Sequence, residues 1–99
     1  MIDFQRITGF QLDAGNAYKS REKHDVTQGE AEEIFFNQPL MVSSDEKHSQ
    51  GEQRYLALGV TSVGEFLSAV FTLRKNATLI RVVSARPMSK KERAFYEKA

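Results

Sequence analysis

Four arginines, one histidine and one glutamate are the residues of this sequence best suited to chemistry: Arg54, Arg74, Arg81, Arg86, His24 and Glu52. The chemistry they suit is at a phosphate. An arginine stays charged at neutral pH, and its planar fork matches phosphate oxygens. A histidine with a pKa of about 6.5 can take or give a proton near pH 7. Glu52 stands two residues before Arg54 and could form a base–cation pair with it. The structural alternative is an exposed loop-to-strand pair, which contributes little. Lys23 lies beside His24, and Lys90, Lys91 and Arg93 form a basic turn just after Arg86. The charge is divided along the chain. Residues 61–99 hold eight Lys/Arg against three acids, and residues 1–60 hold six against ten. A near-neutral total thus conceals a basic half, which points to a polyanionic partner.

These side chains need a scaffold, and 99 residues suit one domain over 1–99. Residues 2–10 read as an extended segment anchored by Ile2, Phe4, Ile7 and Phe10. Asp13 is placed to cap a helix over 14–24, ending at His24. At a helix end His24 also has a structural reading, because its cation favours the helix dipole there. Thr27-Gln28-Gly29-Glu30 fits a capping box. The helix it opens should bury Ala31, Ile34 and Phe35 and end near Asn37, ahead of Pro39. A short strand over 40–42 and a polar loop over 43–53 follow. Three strands are expected over 54–60, 65–73 and 77–86, joined by short loops as an antiparallel meander. Ser89-Lys90-Lys91-Glu92 is a second capping box, and the C-terminal helix it starts should offer Phe95 and Ala99 to the core.

The expected fold is therefore α+β: an antiparallel meander of about four strands, two N-terminal helices on one face, and a C-terminal helix. A register with Val60 facing Glu65 and Leu73 facing Ala77 gives a greasy face holding Leu56, Leu58, Leu67, Ala69, Phe71 and Leu73, with Arg54 and Arg81 on the same side. The opposite face mixes Tyr55, Ser68, Val70, Arg74, Ser84 and Arg86. That mixed face is where a site is expected. Arg74 and Arg86 would stand roughly 25 Å apart on it, too far to share one phosphate. Each arginine also has a structural reading. Arg86 could hold the strand-to-helix corner beside Pro87, Arg74 could be a solvated turn residue, and Arg81 could pair with Asp13 or Glu33. Tyr55 could stack a base or pack in the core.

Composition narrows the classes. With no cysteine, disulfides and cysteine-based zinc sites are excluded, and the two His lie in different segments, so no metal and no cofactor is expected. The N-terminus lacks the basic and apolar regions of a signal peptide. No apolar run approaches the ~18 residues that span a bilayer. A cytoplasmic protein without membrane contact is the expectation.

Several segments together carry a family resemblance: FQLDAGNAYKSREKHDV, SSDEKHSQGEQRYLALG, VFTLRK and IRVVSARPMSKKERAFYE. Most specific are Lys23-His24 before a valine, Gly51-Glu52-x-Arg54 leading into a strand, and Ser84-Ala85-Arg86 before a basic helix. From Phe10 to Tyr96 the chain resembles the BrnT-type toxins of bacterial toxin–antitoxin modules. The resemblance implies a fold like the RelE/ParE ribonuclease toxins, RNA cleavage that halts translation, and neutralisation by a ribbon-helix-helix antitoxin (BrnA-like). Operator DNA would be reached only through that antitoxin, and the RNA would be met free or on the ribosome. Leu12 stands where the family usually has Trp, and Asp25 where Gly usually follows the His.

Metal-free RNA cleavage needs a base for the 2′-OH proton, a cation for the charge building on phosphorus, and an acid for the leaving 5′-oxygen. His24, Glu52, Arg54, Arg74 and Arg86 are the catalytic candidates. Lys23, Tyr55, Lys90, Lys91 and Arg93 are the substrate-binding candidates. The competing expectations are a degenerate toxin that only binds its antitoxin and a plain single-stranded RNA binder.

Overall fold

The computed structural model describes residues 2–11, 25–48 and 51–98. Five strands form one sheet: β1 (Gly9–Phe10), β2 (Met41–Ser44), β3 (Tyr55–Val60), β4 (Phe66–Arg74) and β5 (Leu79–Pro87). Their order is β1-β5-β4-β3-β2. β2 to β5 make the expected antiparallel meander. β1 joins the outer edge of β5 in parallel, so the sheet is mixed rather than wholly antiparallel. The extended N-terminal segment thus becomes a strand where its backbone meets β5. Two α-helices occur among the described residues, α1 (Gln28–Glu33) and α2 (Lys90–Glu97). Of the three expected helices, the second N-terminal one and the C-terminal one are found, as α1 and α2. The helix expected over 14–24 lies outside the described residues.

Both helices begin as their sequences dictate. The Thr27 hydroxyl accepts from the Glu30 N–H at 3.1 Å, and the Glu30 carboxylate accepts from the Thr27 N–H at 2.9 Å. Ser89 and Glu92 repeat the exchange at 3.1 and 2.9 Å. Each box satisfies backbone donors that the first helical turn leaves without partners. α1 tightens into a 3₁₀ turn at Ile34–Phe36 and ends before Pro39, as proline requires.

The core lies between α1 and one face of the sheet. Cross-strand pairs Ala57–Ala69, Tyr55–Phe71 and Leu73–Ile80 set that face. Val26, Ala31 and Ile34 cover it from α1 and its flanks, and all are buried. Phe71 is fully buried, edge-on to Phe35 at 5.1 Å and stacked on Tyr55 at 5.4 Å. Gly59 lets α1 approach. A Cβ there would stand 2.8 Å from the Ile34 Cβ and 3.3 Å from its carbonyl oxygen. Gly59→Ala is therefore expected to destabilise the fold by about 1–3 kcal/mol, read by chemical denaturation.

Two details of packing differ from expectation. Phe95 is 61% exposed rather than in the core. Its neighbour Tyr96 is buried instead, with its ring edge-on to Phe66 at 5.9 Å and its hydroxyl donating to the Pro39 carbonyl. Burial pushes the Tyr96 phenol above its ordinary pKa, which keeps that donor protonated. α2 is thereby fixed across one end of the sheet face opposite α1.

Candidate active site

The face away from α1 holds the arginines, and strand register decides which of them. Val60 pairs with Phe66, and Leu73 pairs with Ile80. Both pairings differ from the expected register. Side chains alternate across a strand, so a shift by one residue reverses every face. Leu56 and Leu58, expected on the greasy face, therefore lie on the mixed one. Arg54 and Arg81 move with them, so Arg81 stands opposite Thr72 on the same face as Arg74 and Arg86. Tyr55 moves the other way, off the expected mixed face, and stacks on Phe71, the packing alternative of its two readings.

A bulge preserves Arg86. Val70 pairs with Ser84 and Phe71 with Val82, which leaves Val83 as an extra residue in β5. Without it, the alternation that buries Ile80 and Val82 would also bury Ser84 and Arg86. With it, Ala85 is buried while Ser84 and Arg86 face outward.

The row Leu56–Val70–Ser84 crosses three strands and floors a cleft of about 380 Å³. Arg54, Asp45 and Ser44 stand on one side of it and Arg86 on the other. By continuation of register Arg54 is level with Thr72, and Arg86 pairs with Ser68. Four strand positions and two inter-strand spacings separate them, or ~17 Å between backbones. The base of Arg54 is held firmly. The buried Thr72 hydroxyl donates to the Gln53 carbonyl at 2.9 Å, and the Asp45 N–H donates to the Arg54 carbonyl at 2.9 Å.

Arg86 is clamped but not exhausted. Its Nη1 donates to Glu92 at 2.7 Å and to the Pro87 carbonyl at 3.1 Å, and its Nη2 donates to Glu92 at 2.8 Å. A guanidinium has five N–H donors. The Nε–H and the second Nη2–H remain, side by side, and the side chain is 42% exposed. The corner role and a phosphate-facing role are thus compatible. The same hydrogen bonds raise the Arg86 pKa and lower that of Glu92. A depressed carboxylate stabilises the fold above its unfolded value near 4.5 and loses that contribution as pH falls through the lower folded value. Thermal unfolding should show wild type exceeding Glu92→Gln at pH 7, with the gap closing toward pH 3.

Glu52 is bonded to Arg74 at 3.2 Å, not to its near neighbour Arg54. Arg74 and Arg86 are six positions apart along β4, ~20 Å, so they serve different points on the face. The Arg74 Nε is buried without a hydrogen-bond partner. Arg93 donates to Glu97 at 2.8 Å and sits 4.3 Å over the Phe66 ring, which occupies its charge within α2. Lys90 and Lys91 are exposed on the same helix. His24 and Lys23 lie outside the described residues. Ser84, expected on the mixed face, lines the cleft, whereas sequence reading missed Ser44 and Asp45. Both sit where a polar loop was expected, and only the pairing of β2 with β3 brings them in. Among the described residues, no three of His, Cys, Asp and Glu gather to hold a metal, and no helix is long and apolar enough to cross a membrane.

A family model described as the ribonuclease toxin BrnT of type II toxin–antitoxin systems matches residues 12–92. The chain belongs to the BrnT family. That membership brings an antitoxin partner and an RNA substrate to the class. No curated protein matches the chain. The matched span includes every strand that builds the cleft and ends at Glu92, the acid that anchors Arg86.

Proposed function

We propose that residues 1–99 are a single toxin domain that cleaves RNA without metal and so halts translation in the cytoplasm, until a ribbon-helix-helix antitoxin neutralises it. Operator DNA is reached only through that antitoxin. The observation that carries this reading is the convergence of Arg54 and Arg86 on one open cleft with Ser84 and Asp45. Guanidinium donors placed where charge builds on phosphorus supply the stabilisation a metal would otherwise give. Arg86 acts as the clamp through its two remaining N–H groups, and Arg54 faces it across the floor. Arg74, steadied by Glu52, holds the backbone further along the face. His24 and Glu52 are the candidate proton-transfer groups, with Lys23, Lys90, Lys91 and Arg93 adding positive field around the path.

The test is purified protein with messenger RNA, with and without ribosomes, in excess EDTA. The expected products carry 2′,3′-cyclic phosphate ends, because the 2′-OH is the nucleophile, and EDTA leaves the rate unchanged. Loss of cleavage in EDTA would remove metal independence. One observation favours the second reading, a degenerate toxin that only binds. Glu92 already occupies one edge of the Arg86 guanidinium. RNA retained without scission in the same assay would establish that alternative.

A further inference from the structure

α2 presents two stripes. Ser89, Glu92 and Tyr96 turn toward the sheet and its corner, through the capping box, the Arg86 pair and the Pro39 hydrogen bond. The other stripe is Lys91, Ala94, Phe95 and Lys98, spaced i, i+3, i+4 and i+7 on one side of the helix. This stripe does not meet the core. It walls a groove of about 620 Å³ whose floor is Met41, Leu56 and Leu58. The groove is larger than the arginine cleft and distinct in character. Its centre is aliphatic and aromatic, with Phe95 61% exposed. A lysine stands at each end, and among the described residues neither Lys91 nor Lys98 makes an ion pair. Every arginine of α2 and of the corner leading into it is matched to an acid, so Lys91 and Lys98 are the cations that line this groove.

We propose that this groove is where the antitoxin docks, through an amphipathic acidic segment whose apolar residues enter beside Phe95 and whose carboxylates meet Lys91 and Lys98. The proposal rests on the family reading for the existence of an antitoxin. The chemistry of the occupant follows from the groove. Lys91 and Lys98 are separated by two helical turns, ~10.5 Å along the axis. A helix laid alongside repeats that spacing with acids at i and i+7 and apolar residues at i+3 and i+4, the complement of the α2 stripe. RNA is the poorer fit. Between the lysines the lining is mostly apolar, with Met41, Leu56, Ala94 and Phe95 and the single hydroxyl of Ser43, so a ribose-phosphate chain would be desolvated there with few replacement hydrogen bonds.

The experiment uses the full chain and its purified cognate antitoxin. Two variants alter exposed positions: Phe95→Asp with Lys98→Glu, and separately Ala94→Arg, which fills the groove. Circular dichroism confirms that each remains folded. Titration of wild type and variants with the antitoxin should show affinity falling about 30-fold or more in each variant, as for loss of a central interface anchor. RNA cleavage by the variants in the absence of antitoxin should stay within about twofold of wild type, as the rate effects belong to the cleft. Antitoxin affinity unchanged in both variants would overturn the proposal. So would a fall in RNA binding with antitoxin affinity intact, which would make the groove a nucleic-acid surface. If wild type binds antitoxin through this groove but never cleaves RNA, the docking proposal stands and the nuclease reading fails.

Discussion

Arg86→Ala should lower RNA cleavage by about 10²–10³-fold while leaving the protein folded, the magnitude seen when one donor to a developing oxyanion is lost. The stability cost should be about 1 kcal/mol, because the pair with Glu92 is partly exposed and screened by solvent. The Ser89–Glu92 capping box survives the substitution, so α2 keeps its start. Arg86→Lys should recover little. An ammonium on a flexible stem cannot face Glu92 and a phosphate at once, whereas the guanidinium presents separate edges to each. Single-turnover cleavage rates, with unfolding curves on the same preparations, check both halves. Cleavage within about twofold of wild type in Arg86→Ala would remove Arg86 from the reaction, given the size of the effect expected for a clamp.

Phe71→Ala should have the largest effect on the fold, about 3–5 kcal/mol. A folded protein holds roughly 5–15 kcal/mol in all. The ring is fully buried and in contact with both Phe35 and Tyr55, so its removal opens a cavity that α1 and β3 cannot both close over. The melting temperature should fall by about 15 °C or more. The bulge lies beside Phe71, between its pair with Val82 and the pair Val70–Ser84. Cleavage by the variant, assayed at a temperature where it remains folded, should therefore also decline. A melting temperature within about 3 °C of wild type would show that the core does not depend on this ring.

Local signals in the sequence were legible and non-local ones were not. Both capping boxes, the stop before Pro39 and the three long strands follow from neighbouring residues, and each is found close to its expected position. The family was legible too, because its segments recur in order along the chain. Strand register was not. It depends on turn conformation, and the β4–β5 turn places Lys75, Asn76 and Ala77 all at positive φ, which nothing in a Lys-Asn-Ala sequence demands. The resulting pairing of Leu73 with Ile80 returned Arg81 to the face of the other arginines. The β3 register likewise turned Leu56 and Leu58 outward, where two leucines that read as core became the floors of a cleft and a groove. The edge strand expected over 40–42 runs on to Ser44, with Asp45 just beyond it, because pairing with β3 rather than its own polar residues sets where it ends.

The extra residue at Val83 divides β5 into two halves with opposite alternation. Upstream, Ile80 and Val82 answer to the interior; downstream, Ser84 and Arg86 answer to solvent. Replacements in the downstream half can alter reactivity without disturbing the hydrophobic packing beneath. Deleting one residue at the bulge would do the reverse, turning a guanidinium inward and an alanine outward in a single step. Such a scaffold should diversify its chemistry by exchange of side chains and resist any change in the length of this strand.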